Sequence, residues 1–173
     1  MNGYLDADPL LRRAEVLGGK PGQRAADVDQ RLASIFRQTG HRFAATPVTI
    51  IEVHTNFCKW VIQNEPTHRQ FDGEWFDRAF EQLMADLKSG RIEVLQLPPK
   101  VFETAMMHVT AASLELGRNL RGWDAVHVVS ASSWSRQLGE RVTLLTGDRQ
   151  VREFVETFPE FGQWIDIVDP ASL

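Results

Sequence analysis

Residues Arg121 to Asp148 read RGWDAVHVVSASSWSRQLGERVTLLTGD. The stretch divides into a helix from Asp124 to about Leu138, a short turn, and an apolar strand from Val142 to Thr146. Asp124 falls in the first turn of that helix, and Asp148 stands where the strand stops. In a sheet of parallel strands, helix starts and strand ends can share one rim. Ligands bind in the crevice along that rim. The reading of the whole chain turns on whether other acids reach it.

Working outward toward the N-terminus, Gly3 to Ala7 is a short strand running into Asp6-Ala7-Asp8. Pro9 then suits the first turn of a helix, which reads PLLRRAEVL and stops at Gly18-Gly19. A second helix is opened by Pro21 and ended by Gly40, with Val28, Leu32, Ile35 and Phe36 on one stripe. His41 to Ala45 is ambiguous, a short extended segment at most. Thr46-Pro47 marks a helix start, and Thr49 to Glu52 has the spacing of a capping box. The run VTIIEVHTNFCKWVI is apolar nearly all round, so this helix is expected to be central.

A loop, NEPTHRQFDG, leads to an amphipathic helix from about Glu74 to Ser89 carrying Trp75, Phe76, Ala79, Phe80, Leu83, Met84 and Leu87. Ile92 to Leu97 is a strand. The helix from about Lys100 to Leu116 presents Phe102, Ala105, Met106, Val109 and Ser113 on one face. Beyond Asp148, Val151 to Phe158 is a short helix and Ile165 to Val168 a last strand. Helices separate the clear strands. The expected architecture is therefore α/β, three layers, with a central mostly parallel sheet between helices. No repeat or long linker divides it, so residues 1–173 are read as a single domain.

The bulk composition sets limits. The chain has 173 residues, 43% of them hydrophobic, with a formal net charge of −4. That charge argues against non-specific binding of nucleic acid through overall charge, though not against a local basic rim. A lone cysteine, Cys58, rules out an internal disulfide and suits a reducing compartment; its apolar helical setting reads as a small buried hydrophobe. No signal peptide is visible, and no apolar run approaches the ~18 residues of a membrane span. A cytoplasmic protein with no membrane partner is expected.

Four acids stand out: Asp6, Glu52, Asp124 and Asp148. Each also has a local structural reading. Asp6 and Asp148 suit helix caps, Glu52 the third position of a capping box with Thr49, and Asp124 a first helical turn. Taken as a set, they would crowd one rim. Crowded carboxylates raise one another's pKa values, and a divalent cation removes the conflict. Oxygen-only ligands suit Mg²⁺ or Mn²⁺, ions that activate water and neutralise charge on phosphate. The chemistry indicated is metal-assisted hydrolysis of a phosphodiester.

The same pieces resemble a known family. YLDADPLL, TPVTIIEV around Glu52, WDAVHVVSA around Asp124 and VTLLTGD at Asp148 look like the motifs of PIN-domain nucleases, the fold of the VapC toxins, in the family's order and across the whole chain. The resemblance implies a PIN-like fold. It also implies a Mg²⁺- or Mn²⁺-dependent endoribonuclease with Asp6, Glu52, Asp124 and Asp148 as metal-binding and catalytic acids. Thr146 matches a supporting hydroxyl, oriented toward an acid or a bound water, or else simply a strand-end threonine. An RNA substrate, an antitoxin partner and a homodimer follow as expectations from the same resemblance.

The chain departs from the family pattern in two places. Ala7 and Asp8 follow the first acid where a small hydroxyl or amide is common, and the helix after Pro21 is long. Asp8 adds a ligand, disturbs the metal geometry, or faces solvent.

His127, three residues past Asp124, reads as packing ahead of substrate contact, and His54 as structural. Arg12, Arg13, Arg121, Arg149 and Arg152 are candidates to hold phosphates, or else a solvated face. The tryptophans read as core or interface. Two other functions are compatible with parts of the pattern. One is a non-cleaving PIN-fold module for RNA or protein. The other is a haloacid-dehalogenase-like phosphatase with Asp6 as nucleophile and Asp8 as acid/base, which leaves Glu52 and Asp124 without a role.

Overall fold

The computed structural model describes residues 1–18, 21–63 and 71–173. Gly19 and residues 64–70 of the loop read at NEPTHRQFDG lie outside the described residues. Five strands form one sheet: β1 (Asn2–Leu5), β2 (Arg42–Ala45), β3 (Glu93–Val94), β4 (Val142–Leu145) and β5 (Ile165–Val168). Their order is β3-β2-β1-β4-β5, and every pairing is parallel. β1 is central, with Tyr4 opposite Ala44 on one side and Leu144 on the other.

Side chains alternate across the sheet as the two-residue period of a strand requires. Tyr4, Ala44, Val142 and Leu144 join one core, under α5 (Pro99–Glu115), α6 (Gly122–Leu138) and α7 (Arg149–Thr157). Leu5, Phe43, Ala45 and Leu145 join the other, under α1 (Ala7–Val16), α2 (Gln23–Phe36), α3 (Pro47–Gln63) and α4 (Gly73–Lys88). Both faces of the sheet are covered, giving the expected three layers. A short 3₁₀ turn, Pro170–Ser172, ends the chain.

The expected elements are present, with shifted edges. Strand β1 stops at Leu5, earlier than the predicted Ala7, because the Asp6 side chain caps α1, which begins at Ala7. The ambiguous segment is β2, paired with β1 over Arg42–Ala44. Strand β3 shortens from the predicted Ile92–Leu97 to two residues, since only Ala44 and Ala45 offer it partners before β2 ends. Gly139 takes φ 71° and turns the chain out of α6 into β4, a left-handed conformation that glycine accepts readily.

Three burial expectations are corrected. Helix α3 is not central: Ile51 is 66% exposed and Ile62 79%, and only Val48, Thr49, Val53 and Phe57 are buried. The central helix is α6, buried along nearly its whole length from Asp124 to Ser135. On α5 the inward face is Val101, Ala105 and Ala112, while Met106 and Ser113 are exposed. Cys58 is half-buried, its Sγ 3.9 Å from Nδ1 of His54. Trp75 and Trp134 are core residues, but Trp123, beside Asp124, is exposed.

Candidate metal centre

The residue that follows each of four strands is polar: Asp6 after β1, Thr46 after β2, Thr146 after β4 and Asp169 after β5. Parallel strands put all four on one edge of the sheet. The ladder carries on into two of them, through Asp6 N–H to Leu145 O and Thr146 N–H to Val168 O. Their positions are therefore set by the sheet itself.

Asp6 caps α1 through Oδ1, which accepts from the Ala7 N–H at 2.7 Å. Its Oδ2 accepts from Thr146 Oγ1 at 2.6 Å. Thr146 in turn accepts from the Asp148 N–H at 2.9 Å, and Asp148 Oδ1 caps α7 by accepting from the Gln150 N–H at 2.8 Å. One threonine thus ties the first acid to the last. The capping readings of Asp6 and Asp148 hold, and they fix two carboxylates at the rim.

The capping reading of Glu52 does not hold. Thr46 and Thr49 cap α3 reciprocally, each backbone N–H donating to the other's hydroxyl at 3.4 and 3.5 Å. Glu52 sits nearly one turn further on, and its Oε2 lies 3.2 Å from Nε2 of His127. The same nitrogen is 3.3 Å from Asp6 Oδ1. Among the described residues, Asp6, Glu52 and His127 each offer a ligand atom, all within 4.8 Å of one another.

His127 is the residue that sequence reasoning placed in packing and the structure places at the site. Its ring is fully buried. Nδ1 lies 3.2 Å from Tyr4 Oη and 3.5 Å from Thr49 Oγ1. Its spacing of three from Asp124 was the available signal, because that spacing shares a helical face. Nothing in the sequence pointed to Tyr4, and Thr46 and Thr49 were legible only as a helix start and a capping-box residue, since their contacts with Tyr4 and His127 reach across more than 40 residues.

Asp124 and Asp148 lie outside that three-residue cluster, but Asp124 feels the charges of Asp148 and Asp6. Asp124 is almost fully buried at the start of α6, and among the described residues its Oδ2 has no hydrogen-bond partner. Burial, with the nearby charges of Asp148 and Asp6, pushes its pKa up to about 7. Burial also raises the pKa of Asp6, against the opposing pull of His127, Thr146 and the Ala7 N–H. For His127, burial disfavours charge, but Tyr4, Glu52 and Asp6 outweigh it and push the pKa up to about 10. A buried carboxylate with no donor and like-charged neighbours is what a divalent cation relieves, so the donor set fits such an ion.

Asp8 stands apart from the cluster. It pairs with Arg12 at 3.1 Å and with Arg24 at 3.5 Å. Arg12 also pairs with Glu15, and Arg13 with Asp86 and Asp29. These two arginines are engaged in ion pairs of the fold. Arg121 Nη1 lies 3.4 Å from Asp148 Oδ2, while Arg149 and Arg152 are exposed near the rim.

Solved structures share this architecture. FitAcB from Neisseria gonorrhoeae matches with a TM-score of 0.59 and 17% identity, over 100% of both chains. VapBC2 from Rickettsia felis bound to a DNA fragment from their promoter matches with a TM-score of 0.57 and 11% identity, over 98% of this chain and 100% of that one. The fold is PIN-like. VapBC-1 from nontypeable Haemophilus influenzae gives a TM-score of 0.55 and 14% identity over 98% of each chain. Identities this low make the likeness one of fold. No protein-family model and no curated protein matches the chain. Among the described residues, no helix is long and apolar enough to cross a membrane.

Proposed function

We propose that this PIN-like chain, a single domain over residues 1–173, is a metal-dependent endoribonuclease that hydrolyses RNA phosphodiester bonds. The observation that carries the reading is the convergence of Asp6, Glu52 and His127, with a buried Asp124 that feels the charge of Asp6 and whose Oδ2 has no hydrogen-bond partner among the described residues. Asp6, Glu52, Asp124 and Asp148 would hold Mg²⁺ or Mn²⁺. An ion held there would supply Lewis acidity, activating water and neutralising charge on a phosphate.

The chain's own residues do the positioning. Thr146 holds Asp6 through its proton and Asp148 through its lone pair. Arg149 and Arg152, exposed near the acids, suit the flanking phosphates of an RNA strand. The likeness to VapBC and FitAcB structures supports a toxin of a toxin–antitoxin pair, with an antitoxin protein and a second copy of the chain as partners. A reducing, cytoplasmic setting accords with the lone half-buried cysteine. Asp8 gives no support to the phosphatase alternative, since Arg12 and Arg24 engage the carboxylate that would act as acid/base.

The test is a mixed RNA pool incubated with the protein, with and without EDTA. Cleavage that needs Mg²⁺ or Mn²⁺ and disappears in Asp6→Asn is expected. Cleavage that survives both points to another mechanism. Mn²⁺ calorimetry on wild type and Asp124→Asn tests the ion separately, and absence of binding in wild type removes the reading.

A further inference from the structure

A chain of hydroxyls beneath the carboxylates decides which nitrogen of His127 faces them. Thr49 Oγ1 donates to the Leu5 carbonyl at 3.5 Å, and a carbonyl can only accept. Thr46 Oγ1 lies 3.3 Å from Thr49 Oγ1, and Tyr4 Oη donates to Thr46 Oγ1 at 3.2 Å. Each hydroxyl has a single proton. With that of Thr49 directed to Leu5, Thr46 donates to Thr49 and Tyr4 donates to Thr46. The remaining contacts, Nδ1 to Tyr4 Oη at 3.2 Å and to Thr49 Oγ1 at 3.5 Å, are then both supplied by an Nδ1–H of the ring. The polarity runs from Nδ1–H through Tyr4, Thr46 and Thr49 to Leu5 O.

Nε2 is therefore the ring atom left for the cleft, 3.3 Å from Asp6 Oδ1 and 3.2 Å from Glu52 Oε2. Metal-ligating histidines almost always donate their other ring N–H to a fixed acceptor, which Tyr4 provides. We propose that His127 is a nitrogen ligand of the metal centre through Nε2, alongside Asp6 and Glu52, and that the centre prefers Mn²⁺ to Mg²⁺ for that reason.

The proposal rests on the metal reading of the site. Independent support for an ion comes from Asp124, more than nine-tenths buried, whose Oδ2 has no hydrogen-bond partner among the described residues and which feels the charges of Asp148 and Asp6. Imidazole suits transition ions, whereas Mg²⁺ favours oxygen ligands and retained waters.

The experiment uses the full chain with MnCl₂ and MgCl₂ in separate calorimetric titrations, and pulsed EPR on the Mn²⁺-loaded protein. Expected are a ¹⁴N coupling in wild type, its loss in His127→Gln, and a drop in the Mn²⁺-over-Mg²⁺ affinity ratio of about tenfold or more in that variant. Mn²⁺ bound without ¹⁴N coupling in wild type overturns the proposal and leaves the metal centre standing. No ion binding in wild type overturns the metal centre itself. Tyr4→Phe keeps the ring and removes the hydroxyl; weaker Mn²⁺ binding with the ¹⁴N signal retained is expected. Unchanged affinity in Tyr4→Phe overturns the hydroxyl relay. The wild-type spectrum and Tyr4→Phe decide the matter even if His127→Gln fails to fold.

Discussion

Arg24 of α2 forks onto Asp169, at the start of the final turn, with Nη1 and Nη2 each 3.0 Å from a carboxylate oxygen. Its Nη2 is also 3.5 Å from Asp8 Oδ2. Asp8 and the long second helix, the two departures from the PIN pattern, are thus parts of one arrangement. The helix carries the arginine that occupies the extra acid. Asp8 consequently serves the frame around the site.

Arg24→Met should destabilise the protein by about 1 kcal/mol, because part-exposed pairs contribute little singly but a bidentate fork lies at the upper end of the range. A urea-denaturation double-mutant cycle with Asp169→Asn measures their coupling. Mn²⁺ affinity should stay within about twofold of wild type, since Asp8 stands outside the ligand cluster. Loss of Mn²⁺ binding would instead put Asp8 in the site.

Thr146→Val removes a donor to Asp6 and an acceptor for the Asp148 N–H at a buried position. Stability should fall by about 1–3 kcal/mol from the orphaned groups. Mn²⁺ affinity should fall about 10- to 100-fold, as for other groups that orient ligands. Thr146→Ser, which keeps the hydroxyl, should recover most of both. Equal behaviour of the two variants would show that the hydroxyl is dispensable.

The raised pKa of Asp124 has a definite sign. Its pKa is about 7 in the folded chain and near 3.8 unfolded, so the native state binds the extra proton. Metal-free stability therefore falls as pH rises from about 4 through 7. Asp124→Asn removes that dependence and should stabilise the metal-free protein at pH 8, by at most about 4 kcal/mol, with little effect at pH 4. Thermal melts in EDTA at the two pH values check it; equal shifts at both would refute it.

Two glycines separate strain in the core from crowding at the rim. A Cβ on Gly3 would lie 2.7 Å from the buried ring of Phe43. Gly3→Ala should cost about 1–3 kcal/mol, because the packed core cannot yield. A Cβ on Gly147 would collide with Arg24 Nη2 and meet Asp8 Oδ2 at 2.6 Å, both ends of side chains that can swing away. Gly147→Ala should therefore resemble Arg24→Met in thermal stability, and a larger loss than that of Gly3→Ala would contradict this account.

How much of this was legible in the sequence depends on the range of the interaction. Helix α6 and strand β4 follow from local periodicity and turn residues, and they appear within two residues of expectation. Strand β2 was ambiguous because its identity rests on pairing with β1, some forty residues away. Helix α3 looked central because apolar composition does not say which face is covered, and Ile51 and Ile62 are not. The acids were visible because they punctuate elements. His127 was not, since an apolar neighbourhood is the common setting of a packed histidine. Only the fold shows Tyr4 and two threonines turning one of its nitrogens toward Asp6 and Glu52.

Tyr4 and Leu5 end the strand held by neighbours on both sides, and Asp6 follows directly. One supplies a relay hydroxyl, the next its terminal carbonyl, the third a carboxylate. A site rooted in the middle of the sheet cannot open by fraying of an edge or a loop. Its ordering entropy is already spent when the chain folds. Binding of an ion would then add its free energy to the unfolding of the whole molecule, and amide exchange in β1 and β4 would slow together with the global melt.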